Sequence, residues 1–307
     1  MYDTVNLFLD YQSYPNCNFI ETVPKYLTNI KSWGKNDFGE FVTGNLDNLK
    51  VKIKENGVLI SGSICKFYLG NNFKTLSKGD TKFAIQKISD CLHLHFDEAN
   101  VYRIDFGQNV IVKYPVNVYF KYFGQSRNYQ RLEQSNGLYY NNQQRQLVFY
   151  DKTFEQKDKN QPIPELYANS HVLRYELRLK KHLKKHLKYP EIKAALLWDD
   201  EFYFKLVKRW KNEYLSIDKV NISEAMQPTG SKKELLEQLA AMQIKQLGQS
   251  NVLNMIKEWQ GTGEINKKQA FQLRTCIKEV SKKTFGGCRN EIIQELDDKI
   301  KQASACW

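Results

Sequence analysis

VNLFLD at positions 5–10 alternates like a strand, with Val5, Leu7 and Leu9 at the period of two that marks one buried face. NGVLISGSICKFYLG (56–70) carries two further runs of this kind and reads as a hairpin about Gly62. The period then lengthens. Behind Gly79 and Asp80, the residues Phe83, Ala84, Ile88, Cys91 and Leu92 fall on one side of a helix. VYRIDFG (101–107) returns to a strand, and Pro115 and Gly124 bracket a short helix in PVNVYFKYFG. GLYYNNQQRQLVFYDK predicts a hairpin turning at Asn141–Asn142, and HVLRYELRLKK (171–181) a further strand rich in arginine.

Beyond about residue 190 the apolar period is helical, first in AALLWDDEFYFKLVKRWKNEYL. VNISEAMQPTGSKK (220–233), with Pro228 and Gly230, reads as a linker. Three or four helices follow, over LLEQLAAMQIKQLG, NVLNMIKEWQ, KKQAFQLRTCIKEVSKK and NEIIQELDDKIKQA. The expected fold is α+β, a mainly antiparallel sheet flanked by helices over residues 1–220. Residues 221–307 are expected to form a helical C-terminal domain for DNA binding or oligomerisation.

The strand pattern also sorts chemistry onto faces, because side chains alternate. In YRIDF, Arg103 and Asp105 share a face opposite Ile104 and Phe106. In LVFYDK, Val148, Tyr150 and Lys152 share one. In VLRYELRL, Arg174, Glu176 and Arg178 stand opposite Leu173, Tyr175 and Leu177. Carboxylates so gathered suit a hard divalent cation such as Mg²⁺ or Mn²⁺, which can polarise a phosphodiester. A tyrosine beside it can attack phosphorus, and a neighbouring cation or Lys152 would lower its pKa. The same alternation also serves simply to solvate a sheet face.

Charge narrows the choice. The 307 residues carry 46 Lys and Arg against 34 Asp and Glu, a net +12, which favours nucleic acid or an anionic membrane surface as partner. Hydrophobic residues at 41% support a packed core. No apolar run approaches the roughly 18 residues of a membrane span. The start MYDTVNLFLD lacks the basic leader of a signal peptide. The six cysteines form no CxxC pair, against a zinc site or disulfide framework and in keeping with a reducing cytosol. No GxxxxGK[ST] motif occurs, so unwinding would fall to another protein.

The ordered set RID (103–105), YDK with a following Glu (150–155) and LRYELRLKK (173–181) resembles replication initiators of the filamentous-phage gene II type. It is also similar to plasmid rolling-circle initiators with a Y-x-K core. FYLGNN and the helix before RID fit the same layout, and the likeness spans roughly residues 1 to 215. The resemblance implies an endonuclease of the bacterial host cytoplasm. It would nick one origin strand, keep a 5′-phosphotyrosine, leave a 3′-hydroxyl for synthesis, and rejoin strands at termination. Its partners would be origin DNA, single-stranded and duplex, and the host helicase, polymerase and single-strand-binding protein. Tyr150 would be the nucleophile, Lys152 the contact to the scissile phosphate, and Asp105 and Glu176 the Mg²⁺ or Mn²⁺ ligands, with Glu155 a third candidate. Arg103, Arg174 and Arg178 would hold DNA. So would Lys180, Lys181, Lys184, Lys185 and Lys188 in the basic run KKHLKKHLKYP, whose Leu183 and Leu187 anchor it as a helix. Lys232, Lys233, Lys267, Lys268, Lys282 and Lys283 would extend that footprint. His93 and His95 offer a competing metal pair, and Tyr139 or Tyr140 a second phenol. The alternative function is an origin-binding protein without catalysis.

Overall fold

The structure, a computed structural model, describes residues 1–14, 17–36, 39–219, 229–282 and 291–305. Its frame is an antiparallel sheet of ten strands. In chain order these begin with β1 (Tyr2–Asp10), β2 (Thr28–Asn36), β3 (Gly39–Leu46), β4 (Leu49–Lys54), β5 (Gly57–Ser63) and β6 (Asn100–Val112). A short strand, β7 (Phe123–Ser126), leaves the sheet to pair elsewhere. β8 (Gln130–Gln134), β9 (Gly137–Asn141), β10 (Arg145–Asp151) and β11 (His171–Leu179) complete it. Across the sheet the order is β2-β3-β4-β5-β1-β6-β11-β10-β9-β8. The strands carrying RID, YDK and RYELR are therefore neighbours near its middle, and the α+β expectation is met.

One face of the sheet is the core. Val5, Leu7, Val51, Ile60, Ile104, Phe106, Phe149, Tyr175 and Leu177 are all buried there. Helix α7 (Asp200–Leu215) lies on this face, with Trp210 stacked on Tyr175 at 4.9 Å and Tyr175 on Phe149 at 4.5 Å. α7 starts later than its helical pattern suggests, because Asp199 caps it by accepting from the Phe202 amide at 2.9 Å. Residues Ala194–Trp198 form a separate 3₁₀ turn.

Several local expectations change. The segment 56–70 is not a hairpin about Gly62. β5 ends at Ser63, whose hydroxyl accepts from the Lys66 amide at 3.1 Å and starts helix α2 (Ile64–Leu69). The hairpin lies one strand earlier, between β4 and β5. In α3 (Lys78–Leu92), Ala84, Ile88 and Leu92 are buried as expected, but Phe83 is exposed and Ile85 takes the core position. α4 (Val116–Phe120) is short, and Gly124 belongs to β7. The basic run is only partly helical. α6 (Leu183–Leu187) begins after Lys180 and Lys181 and ends before Lys188, whose φ of 56° closes it. Leu183 and Leu187 are buried and anchor it, about 1.5–3 kcal/mol each. No unbroken row through Lys180, Lys184 and Lys188 forms.

The C-terminal part comprises α8 (Lys232–Leu247), α9 (Gln249–Thr262), α10 (Lys267–Lys282) and α11 (Glu291–Ala305). α8 and α10 share a small cluster of Ala241, Ile244 and Val280. α11 instead places Ile293, Leu296 and Ile300 in the main core, against α7 and β6. Most of the expected linker (220–228) and Lys283 lie outside the described residues.

Candidate active site on the polar face of the sheet

Strand register assembles the site. Tyr150 on β10 stands opposite Arg174 on β11, and Val148 opposite Glu176. On the other side of β11, Arg178 pairs with Asp105 and Glu176 with Gly107 of β6. One sheet face thus gathers Tyr150, Arg174, Glu176, Arg178, Asp105 and Arg103, as alternation requires. Gly107 makes this possible. A Cβ there would sit 2.8 Å from Glu176 Cγ and 2.6 Å from the Tyr175 carbonyl oxygen, so glycine leaves the room that Glu176 occupies.

The charges form a continuous ladder. Arg103 donates to both oxygens of Asp105, at 2.8 and 2.7 Å. Arg178 lies 3.8 Å from Asp105 and donates to Glu176 Oε2 at 2.8 Å through Nε, so it bridges the two carboxylates. Arg174 Nε donates to Glu176 Oε1 at 2.5 Å, and its Nη2 to Asp3 at 2.7 Å. Asp3 also accepts from the Ser63 hydroxyl and from Asn72 at 3.3 Å. The sequence pattern does not single out Asp3, because only the pairing of β1 beside β6 brings it here. Arg174 is fully buried, with its remaining nitrogen shared by the Asn72 carbonyl and Asn109. It is a structural counter-ion, not the surface DNA contact expected.

Tyr150 sits at the rim of this ladder, its hydroxyl donating to Glu176 Oε1 at 3.0 Å. It lines a cleft of about 190 Å³ with Tyr139, Phe154, Glu155, Lys159 and Arg178. Burial, and then the charge of Glu176, push its phenol well above the usual range. The fall expected from a neighbouring cation is thus reversed. Glu176 goes the other way: burial opposes ionisation, but Arg174 and Arg178 hold it down to about 2. Burial raises Asp105, with Arg103 opposing.

The charges behind Tyr150 have their own explanation. Asp151 is the N-cap of α5 (Lys152–Asp158), accepting from the Phe154 amide at 2.9 Å. Lys152 opens that helix fully buried, its Nζ on Glu155 at 2.5 Å. Burial, then Arg174, lowers its pKa. Lys152 does not line the cleft, so the expected contact between it and a scissile phosphate is not in place. Glu155 also accepts from Lys159. Burial works against its charge, yet the Lys152 hydrogen bond brings it to about 2. The cations that line the cleft are Arg178 and Lys159. Sequence reasoning missed Lys159, although it follows Glu155 by one helical turn.

The three expected metal ligands do not fit a divalent cation as they stand. Both oxygens of Asp105, of Glu176 and of Glu155 already accept from arginine or lysine. Among the described residues, no three His, Cys, Asp or Glu side chains cluster as ligands. His93 and His95 are exposed beyond α3, beside Tyr26 and Tyr14, and neither joins the ladder. Tyr140 is buried, its hydroxyl donating to the Gly124 carbonyl at 2.7 Å, while Tyr139 faces the cleft. Lys180, Lys181, Lys184, Lys185 and Lys188 are exposed, and Lys180 lies close enough to Arg178 and Arg103 to feel their charge. Among the described residues, no helix is long and apolar enough to cross a membrane.

No curated protein matches the chain. The family model for the N-terminal region of the phage gene II replication-associated protein matches residues 1–213, a span that includes every strand and arginine of the ladder. The chain belongs to this family of phage replication-associated proteins, of which the gene II type of replication initiator is the pattern.

Proposed function

We propose that the chain nicks and rejoins one DNA strand at a replication origin, with Tyr150 as the nucleophile. The observation that carries this reading is the Tyr150 hydroxyl held by Glu176 at the edge of a cleft that Arg178 and Lys159 line. The hydrogen bond points the phenolic proton at a carboxylate and leaves an oxygen lone pair for the cleft. In the reaction, Tyr150 Oη bonds to phosphorus and the P–O3′ bond breaks. Glu176 orients the phenol, whose proton leaves to solvent as the bond to phosphorus forms, and the departing 3′-oxygen takes a proton from solvent. A phosphodiester is exchanged for a phosphotyrosine diester, so ATP is not needed and the step runs backwards to reseal the strand. Arg178 and Lys159 would neutralise the phosphoryl oxygens. Arg174 and Asp3 act through Glu176 and position it.

A second reading, DNA binding without a covalent step, draws support from the completeness of the arginine–carboxylate pairing. Incubation with a labelled single-stranded origin oligonucleotide, followed by denaturing electrophoresis, separates the two. Wild type is expected to give a covalent adduct. Tyr150→Phe deletes only the hydroxyl and is expected to lose the adduct while binding DNA with unchanged affinity. An adduct that persists in Tyr150→Phe overturns the assignment and directs attention to Tyr139.

A further inference from the structure

The polar face that holds Tyr150 continues past Arg103 onto the outer half of the sheet. Register carries it: Arg103 stands beside Asn6 of β1, Asn6 beside Ser61 of β5, and Ser61 beside Lys50 of β4. At about 4.8 Å per strand, Lys50 lies roughly 14 Å across the sheet from Arg103. The alternate residues of β3, β4 and β5, Val42, Val51, Ile53, Val58 and Ile60, are buried on the core side. The outer face is left to solvent.

Its composition is not that of an ordinary solvated sheet, which mixes both signs of charge. β4 presents Lys50, Lys52 and Lys54 on this face. Acids lie at its borders: Asp105 is held by Arg103, Asp10 is turned to the Gln12 amide, and Asp47 and Glu55 occupy the turns that flank β4. Aromatic rings stand among the lysines. Tyr102 is 55% exposed and meets Phe8 edge-on at 6.2 Å, while Lys52 Nζ lies 3.8 Å from the centre of the Phe41 ring.

We infer that this outer face is a platform for single-stranded DNA leading to the Tyr150 cleft. Lysines at every second position of β4 follow one another at about 6.8 Å and can accompany an extended phosphate backbone. Tyr102 and Phe8 offer faces on which bases stack without regard to sequence. Stacking requires bases free of a duplex, which selects single-stranded over double-stranded DNA. The inference rests on the reading that DNA is handled at Tyr150, and its test is independent of that chemistry.

The test is fluorescence anisotropy of a random-sequence single-stranded oligonucleotide titrated with the full chain over a range of salt. The wild type is compared with Lys50→Ala/Lys52→Ala/Lys54→Ala and with Tyr102→Ala. The triple variant is expected to flatten the log–log salt slope by about 0.7 for each phosphate left without its lysine, about 2 in all. Tyr102→Ala is expected to weaken binding about five- to a hundredfold while leaving the slope in place, because stacking releases no counterions. Melting temperatures within a few degrees of wild type confirm that the variants are folded, and Lys52→Arg keeps the charge and should keep the slope. An unchanged affinity and slope in the triple variant overturns the platform. So does a loss confined to a duplex of the same sequence titrated in parallel. Adduct formation by the wild type reports on Tyr150 alone: an adduct with unaltered salt slopes sinks only the platform, and altered slopes without an adduct sink only the nucleophile.

Discussion

At the scale of single residues, the ladder is a problem of compensated burial. Glu176, Arg174 and Asp105 are almost fully enclosed, and each would be costly alone. The sequence shows these charges on one side of their strands, which is correct, but alternation cannot tell a polar face in water from one covered by α5 and the turn at Asn72. Gly107 and Asp3 complete the arrangement and carry no local signal beyond a glycine inside a strand. The pairing has a pH signature. Glu176 and Glu155 fall to about 2 from a usual 4.5, so the native state holds fewer protons than the unfolded chain between these values. Their contribution is present above about 4.5 and is lost as pH falls through that window. Asp105, raised by burial, acts with the opposite sign and offsets part of this. The melting temperature is therefore expected to drop as pH falls from about 5 towards 3. Glu155→Gln removes one of the two lowered carboxylates and should make that drop shallower. An equal slope in variant and wild type would show that Glu155 is not ionically held in the fold.

At the scale of elements, the alternating strands were legible because both faces obey a period of two, with Ile104, Phe106, Tyr175 and Leu177 all in the core. The pattern misleads where a terminus is set by one hydrogen bond. Ser63, Asp151 and Asp199 each accept from a backbone amide and start a helix at a point that the apolar period alone does not mark. The basic run shows the same limit, since its leucines predict its docking but not its length. α6 nevertheless exposes Lys184 and Lys185 together. We expect Lys184→Ala/Lys185→Ala to flatten the salt slope for DNA by about 1.4–1.8 if both lysines meet phosphates. Preference among origin sequences should not change, because backbone contacts position and do not specify. Binding to origin and random DNA across salt concentrations measures both quantities. A changed preference with a constant slope would mean that α6 reads bases.

At the scale of the whole molecule, the helices after the sheet divide in a way their periodicity cannot reveal. All four stretches look alike in sequence, yet α8 and α10 close on Ala241, Ile244 and Val280, whereas α11 returns to the main core. Hydrogen bonds fix α11 in place: Tyr119 donates to Glu295 at 2.6 Å and Tyr214 to Asp297 at 2.7 Å. Tyr214 is also in ring contact with Tyr175, the β11 residue between Arg174 and Glu176. The C-terminal helix therefore supports the strand that holds the candidate nucleophile's partner. Leu296 is fully buried in that junction. Leu296→Ala should lower the stability of the sheet domain by about 2–5 kcal/mol, the usual cost of such a cavity. Ile244→Ala, in the separate small cluster, should leave that transition within about 0.5 kcal/mol, as distant independent sites do. Urea unfolding, followed by hydrogen exchange at the β6 and β11 amides, distinguishes the two. If Leu296→Ala leaves protection of those strands intact, α11 is an appendage of the helical part and no support for the site.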